Sequence, residues 1–147
     1  MTDKNGWRIV LIDDEEGIRR VTRITLEDAG YTVFTADNGK NGLALCEEAH
    51  PQIVITDVRM PGMDGIAVLE TVKKNFPDIE VIVATAFGEM DLAIRALQLD
   101  ASDFITKPLH SEALAVALER ARARFEDRKQ LKDYTTFLEK GWNDTTR

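Results

Sequence analysis

A chain of 147 residues, 44% of them hydrophobic, is long enough for one domain and apolar enough for a packed core, which excludes general disorder. With 26 acidic against 19 basic residues and a formal net charge of -7, it lacks the basic surface that nonspecific nucleic-acid binding requires. No apolar run nears the ~20 residues that span a membrane, residues 1–6 lack the apolar core of a secretion signal, and the single Cys46 can form no intramolecular disulfide, so a soluble, cytoplasmic protein is expected.

Short apolar runs alternate with longer stretches of helical period, the pattern of repeated βα units around a parallel sheet covered on both faces. The first strand is expected over 8–13, where Ile9-Val10-Leu11-Ile12 ends on Asp13-Asp14. A helix over 15–29 follows, and Gly30 stands where a left-handed C-terminal residue is wanted. A strand over 31–36 and a helix over 39–49 come next; Cys46 in that helix reads as a small buried hydrophobe. Pro51 closes the helix ahead of a strand over 52–57, in which Ile53-Val54-Ile55-Thr56 runs into Asp57. Asp64 is the expected N-cap of a helix over 64–76, whose Ile66, Leu69, Val72 and Phe76 recur at three- and four-residue steps. After Pro77, a strand over 79–85 carries Val81-Ile82-Val83-Ala84 to Thr85. A helix over 89–99 leads to a strand over 102–107, where Phe104-Ile105-Thr106 ends on Lys107. The predicted architecture is a five-stranded, doubly wound α/β domain.

The last helix opens at Ser111 with Glu112 and reads as helical to about Lys140. At 1.5 Å per residue that is about 45 Å, more than a domain of this size covers. Leu114, Leu118, Ala121 and Phe125 can pack on the sheet, whereas Leu131, Tyr134, Leu138 and Trp142 follow out of phase. Charge is dense between the two sets, at Arg120, Arg122, Arg124, Glu126, Asp127, Arg128 and Lys129. The expected division is a domain over 1–125 and a helical extension or linker over 126–147 that pairs with a partner; a solvated tail is the alternative. Helix 89–99 is apolar on more than one face and reads either as well buried or as a surface for a partner or a second copy.

In an open parallel sheet, ligands bind at the carboxyl ends of the strands. That end gathers Asp13, Asp14, Asp57, Thr85 and Lys107. Three neighbouring carboxylates repel and need a cation or shared protons. Hard oxygen donors with no histidine or thiolate favour Mg2+. Lys107 offers a point charge to a phosphate and Thr85 a hydroxyl donor. With metal and lysine beside it, Asp57 can act as a nucleophile and form an aspartyl phosphate. Singly, Asp13-Asp14 could be a helix cap and Asp57 a turn residue, but four such strand ends in order indicate a site. His50 and His110 fall outside it and read as solvent-facing.

The stretches Val10-Leu11-Ile12-Asp13-Asp14-Glu15, Thr56-Asp57-Val58-Arg59-Met60-Pro61-Gly62-Met63-Asp64-Gly65, Val83-Ala84-Thr85-Ala86 and Asp103-Phe104-Ile105-Thr106-Lys107-Pro108-Leu109 together resemble the receiver domain of two-component response regulators, over about residues 7–125. The resemblance implies a flavodoxin-like sheet of strand order 2-1-3-4-5. It implies that Asp57 accepts a phosphoryl group from a histidine kinase or phosphotransfer protein. Asp14, Asp57 and the backbone carbonyl of Arg59 would ligate Mg2+, with Asp13 acting through a bound water. Lys107 would hold one phosphate oxygen, Thr85 would move to donate to another, and Phe104 would turn inward behind it. The Lys107-Pro108 bond would be cis. Asp100 replaces a common glycine, which aspartate tolerates, and Phe104 replaces a commoner tyrosine and so brings no hydroxyl.

On this resemblance the chain is a signalling switch and not an enzyme acting on an external substrate. Phosphorylation would alter the 85–88 loop and the surface of helix 89–99 and strand 102–107, to control a partner or an attached output domain. A homodimer through that surface, the last helix or its extension is a further expectation; direct nucleic-acid and membrane binding are not. A phosphatase or phosphotransferase with an aspartate nucleophile would place a second carboxylate two residues on, where this chain has Arg59. No Gly-x-Gly-x-x-Gly follows the first strand, against a dinucleotide-binding domain.

Overall fold

The computed structural model describes residues 6–145, with side chains as far as Lys140. The elements alternate without interruption: β1 (Arg8–Ile12), α1 (Glu16–Asp28), β2 (Thr32–Ala36), α2 (Gly39–Ala49), β3 (Ile53–Asp57), α3 (Gly65–Asn75), β4 (Glu80–Thr85), α4 (Met90–Gln98), β5 (Asp103–Thr106) and α5 (Ser111–Thr145). All strand pairs are parallel, in the order β2-β1-β3-β4-β5. The register sets Ile12 beside Thr56, Asp57 beside Ala84 and Thr85 beside Thr106, so the carboxyl ends finish at one level.

Successive strand residues face opposite sides, and each side builds its own core. Val10, Ile12, Val54, Val81 and Val83 pack with Cys46 of α2, Val68, Leu69 and Val72 of α3 and Ala96 of α4. Ile9, Leu11, Ile53, Ile55, Ile82 and Ile105 pack with Leu26 of α1 and Leu114, Ala117, Leu118 and Ala121 of α5. Burial pushes the Cys46 thiol up to about 11, so it stays a protonated hydrophobe. The Asp64 carboxylate accepts the Ala67 N–H at 2.9 Å and starts α3 as expected. Asn38 does the same for α2, accepting from Asn41 at 2.8 Å. Gly30 (φ 102) and Asp100 (φ 75) both take the left-handed conformation, and Lys107-Pro108 is cis.

The two faces of α4 differ. Ala93 and Ala96 are buried, while Met90, Ile94 and Leu97 stand in solvent. The last helix runs past Lys140, and Leu131, Tyr134, Phe137 and Leu138 are exposed on it. The side chain of Trp142, residues 1–5 and residues 146–147 lie outside the described residues. Apolar packing of α5 ends at the partly buried Phe125, but its ties to the domain continue further. Arg124 and Arg128 reach the buried Glu80 at 3.1 and 3.3 Å, and Lys132 reaches Asp78 at 3.3 Å. The charges between the two apolar sets of α5 therefore anchor part of the helix. No helix among the described residues is long and apolar enough to cross a membrane.

Candidate functional site

Four strand ends converge as their polar termini suggested. Asp57 is the last residue of β3 and is buried; Asp13 follows β1 and is buried; Asp14 next to it is exposed. Oxygens of these three carboxylates all lie within 4.8 Å of one another. Lys107, just past β5, points its Nζ to 2.6 Å from Asp57 Oδ2 and 3.7 Å from Asp13 Oδ2. Its backbone N–H donates to the carbonyl of Thr85 at 2.7 Å, which ties the end of β4 to the same lysine. Thr85 is buried, and Phe104 on β5 is half-buried against the core beneath.

Local bonds hold these groups in place. Asp13 Oδ1 accepts the Glu15 N–H at 2.9 Å, and the Asp13 carbonyl accepts from Arg19 Nη1 at 2.7 Å. The backbone of Arg59 favours the charged form of Asp57. The Arg59 guanidinium is turned to Glu89 Oε2, 2.5 Å away. Gly65, the first residue of α3, donates its N–H to the carbonyl of Val58 at 2.7 Å. A Cβ there would lie 2.7 Å from Val58 Cα and 2.9 Å from the carbonyl carbon of Asp57, so only glycine lets α3 approach the end of β3 this closely.

The electrostatics show an excess of negative charge. Burial raises the Asp57 carboxyl above its ordinary value and the Asp13 charge adds to this, while the Lys107 bond opposes it. Asp13 is raised by burial and by the charges of Asp14 and Glu15, against the Glu15 N–H and Lys107. Burial works to lower Lys107, yet the Asp57 bond and the charges of Asp13 and Asp57 leave it above an ordinary lysine. One ammonium thus serves more carboxylate than it can neutralise, and a further cation is favoured.

The sequence profile described as the response regulator receiver domain matches residues 9–119. This chain belongs to that family. The receiver is 36% identical over 120 residues to the DNA-binding transcriptional regulator NtrC of Salmonella typhimurium, covering 82% of this chain and 26% of that protein. It is 32% identical over 135 residues to the regulatory protein AtoC of Escherichia coli K12, covering 92% and 29%. Among solved structures, a receiver domain protein from Clostridium thermocellum matches with a TM-score of 0.77 at 32% identity, covering 85% of this chain and 98% of that one. NtrX from Brucella abortus in complex with ADP matches at 0.82 and 30%, covering 86% and 29%. The receiver therefore spans 26% and 29% of the length of these two curated relatives.

Asp13, Asp14, Asp57, Thr85 and Lys107, all predicted from strand ends, come together. His50 and His110 are exposed and stand apart. Sequence reasoning did not find Glu89 or Arg19. Arg19 reaches the Asp13 carbonyl, and Glu89 reaches the Ala86 N–H and the Arg59 guanidinium, through loop shapes that the residue pattern does not reveal.

Proposed function

We propose that this receiver is a phosphorylation switch whose acceptor is Asp57. The observation that carries this is the Lys107 ammonium, 2.6 Å from Asp57 Oδ2, within a cluster of three carboxylates. A histidine kinase or phosphotransfer protein supplies the phosphoryl group. An Asp57 oxygen attacks the phosphorus of the phosphohistidine, a P–O bond forms, the P–N bond breaks, and the imidazole keeps the electron pair. Lys107 holds one oxygen of the transferred group by charge, and the Thr85 hydroxyl donates to another. Phe104 then occupies the space behind the moved threonine.

The donor set fits Mg2+: carboxylate oxygens alone, close together and short of positive charge. Asp14, Asp57 and the Arg59 backbone carbonyl would hold the ion and Asp13 would reach it through water; when bound, it neutralises charge on the transferring oxygens. The protein acts on no external substrate and takes part in its own phosphorylation and dephosphorylation.

For input, α1 begins directly after the acidic residues and exposes Val21 and Ile24, which suit a kinase surface. For output, the exposed Met90, Ile94 and Leu97 of α4, with β5 and α5, suit a second copy or an output segment. The relatives are named as transcriptional and regulatory proteins, and control of such an output from residues 126–147 onward, in the cytoplasm, completes the reading. Incubation with Mg2+ and a small acyl phosphate should add one phosphoryl group, labile to base and to hydroxylamine, by intact mass, absent from Asp57→Asn. No adduct on the parent protein, or the same adduct on the variant, defeats the assignment.

A further inference from the structure

Above the carboxyl ends of β3 and β4, one carboxylate ties two loops together. Glu89 precedes α4, and its side chain is only 11% exposed. One oxygen accepts the Ala86 backbone N–H at 2.6 Å, and the other lies 2.5 Å from Nε of Arg59. Ala86 follows Thr85 in the chain, and Arg59 is two residues past Asp57. Glu89 thus links the acceptor loop to the loop that must respond to it.

Capping does not explain this carboxylate. Glu89 occupies the N-cap position of α4, yet its side chain accepts no N–H of that helix. The loop it closes has no apolar anchor, since Phe87 is 99% exposed and Gly88 is left-handed. The Ala86 bond closes the Thr85-to-α4 segment on itself, and the Arg59 ion pair ties that segment to the β3–α3 loop.

Phosphorylation changes the competition for Arg59. A phosphoryl group brings a charge of about -1.5 to -2 and strong acceptor oxygens, and a guanidinium pairs with phosphate in a two-pronged geometry. We propose that Glu89 is a positioning residue for the switch: it holds Arg59 in the unphosphorylated receiver, and the phosphoryl group on Asp57 takes Arg59 from it and frees the start of α4. This rests on Asp57 being the acceptor.

The test measures the affinity for beryllofluoride, a phosphoryl mimic that adds to the acceptor carboxylate, in the presence of Mg2+ by 19F NMR titration. The proteins are the parent chain, Glu89→Gln, Arg59→Ala and the double variant. Glutamine keeps an acceptor for the Ala86 N–H and drops the charge. Glu89→Gln should bind the mimic about two- to five-fold more tightly, the size of a partly exposed ion pair. The gain should shrink toward nothing at about 1 M salt and vanish in the Arg59→Ala background. A merely structural role for Glu89 would depend on neither salt nor Arg59. If the parent binds the mimic but Glu89→Gln binds it equally or less tightly, or keeps its gain without Arg59, the proposal is overturned alone. If the parent does not bind the mimic, the acceptor assignment and this proposal fall together.

Discussion

Replacing Arg124 and Arg128 together by alanine removes the two guanidinium groups that face Glu80 and strands a carboxylate that is 0% exposed. The Glu80 oxygens make no well-directed hydrogen bond, so the opposite charges at 3.1 and 3.3 Å are what offset their burial. Breaking a buried pair this way costs about 3–5 kcal/mol. The lower end applies, because the Lys73 ammonium remains near enough for the two charges to influence each other. The opposite change is much milder. Glu80→Met leaves arginine side chains that are already 35% and 31% exposed and keep Asp100 at 2.8 and 3.5 Å. Its cost should stay below about 1 kcal/mol. The triple variant should recover most of the loss, giving a coupling of about 2 kcal/mol. Urea unfolding reads these values; at a slope of about 2 kcal/mol/M the arginine pair should lower the midpoint by about 1.5 M. A Glu80→Met loss as large as that of the arginine pair, or strict additivity in the triple variant, would refute the argument.

Two further predictions concern the acceptor strand and the acid limb. Gly65→Ala forces a Cβ onto the backbone of Asp57 and Val58, which cannot give way as a side chain can; a loss of about 2 kcal/mol and of roughly 5–10 °C in Tm is expected, with slower phosphorylation, and an unchanged melting curve would contradict it. Burial raises the Asp100 carboxyl, but the Arg124 hydrogen bond and the charges of Lys73, Arg124 and Arg128 outweigh it and hold the pKa below its ordinary value. A folded pKa below the unfolded one gives stability that is present above about pH 4 and lost as pH falls through the lower folded value. Asp100→Asn should therefore lower the melting temperature at pH 7 and flatten its acid decline; a difference from the parent that is the same at every pH would count against the pairing.

The strands were legible because buried parallel strands are continuous runs of β-branched residues, and each run here ends abruptly on a polar residue. The site followed, since four ends of one sheet have only one place to meet. Caps such as Asp64 were legible for a similar reason: their partners lie three residues away. Glu80 was not. At the start of a strand it resembles any surface acid, and its partners Arg124 and Arg128 sit far along the chain in a stretch that reads as solvated charge. Glu89 and Arg59 face each other only because two loops after different strands take particular shapes. Gly65 could be seen as a glycine beside a cap, but not as the point where α3 touches the acceptor backbone.

Differences in packing also explain why α4 is the element free to respond. α3 buries Ile66, Val68, Leu69 and Val72, and such aliphatic side chains contribute about 1.5–3 kcal/mol each. α4 buries only Ala93 and Ala96, with Leu92 and Leu99 partly covered. Little apolar area is therefore lost when α4 shifts, and little energy opposes it. By contrast, Glu80 at the start of β4 and Asp100 in the turn after α4 are clamped to α5 by ion pairs, which fix the C-terminal end of α4. A rearrangement begun at Thr85 would meet strong resistance along the strands and less at the N-terminal end of α4, where Glu89 supplies a polar restraint. On the proposal above, release of that one carboxylate loosens the N-terminal turn of α4, which carries the exposed Met90, while the sheet and the base of α5 keep their packing.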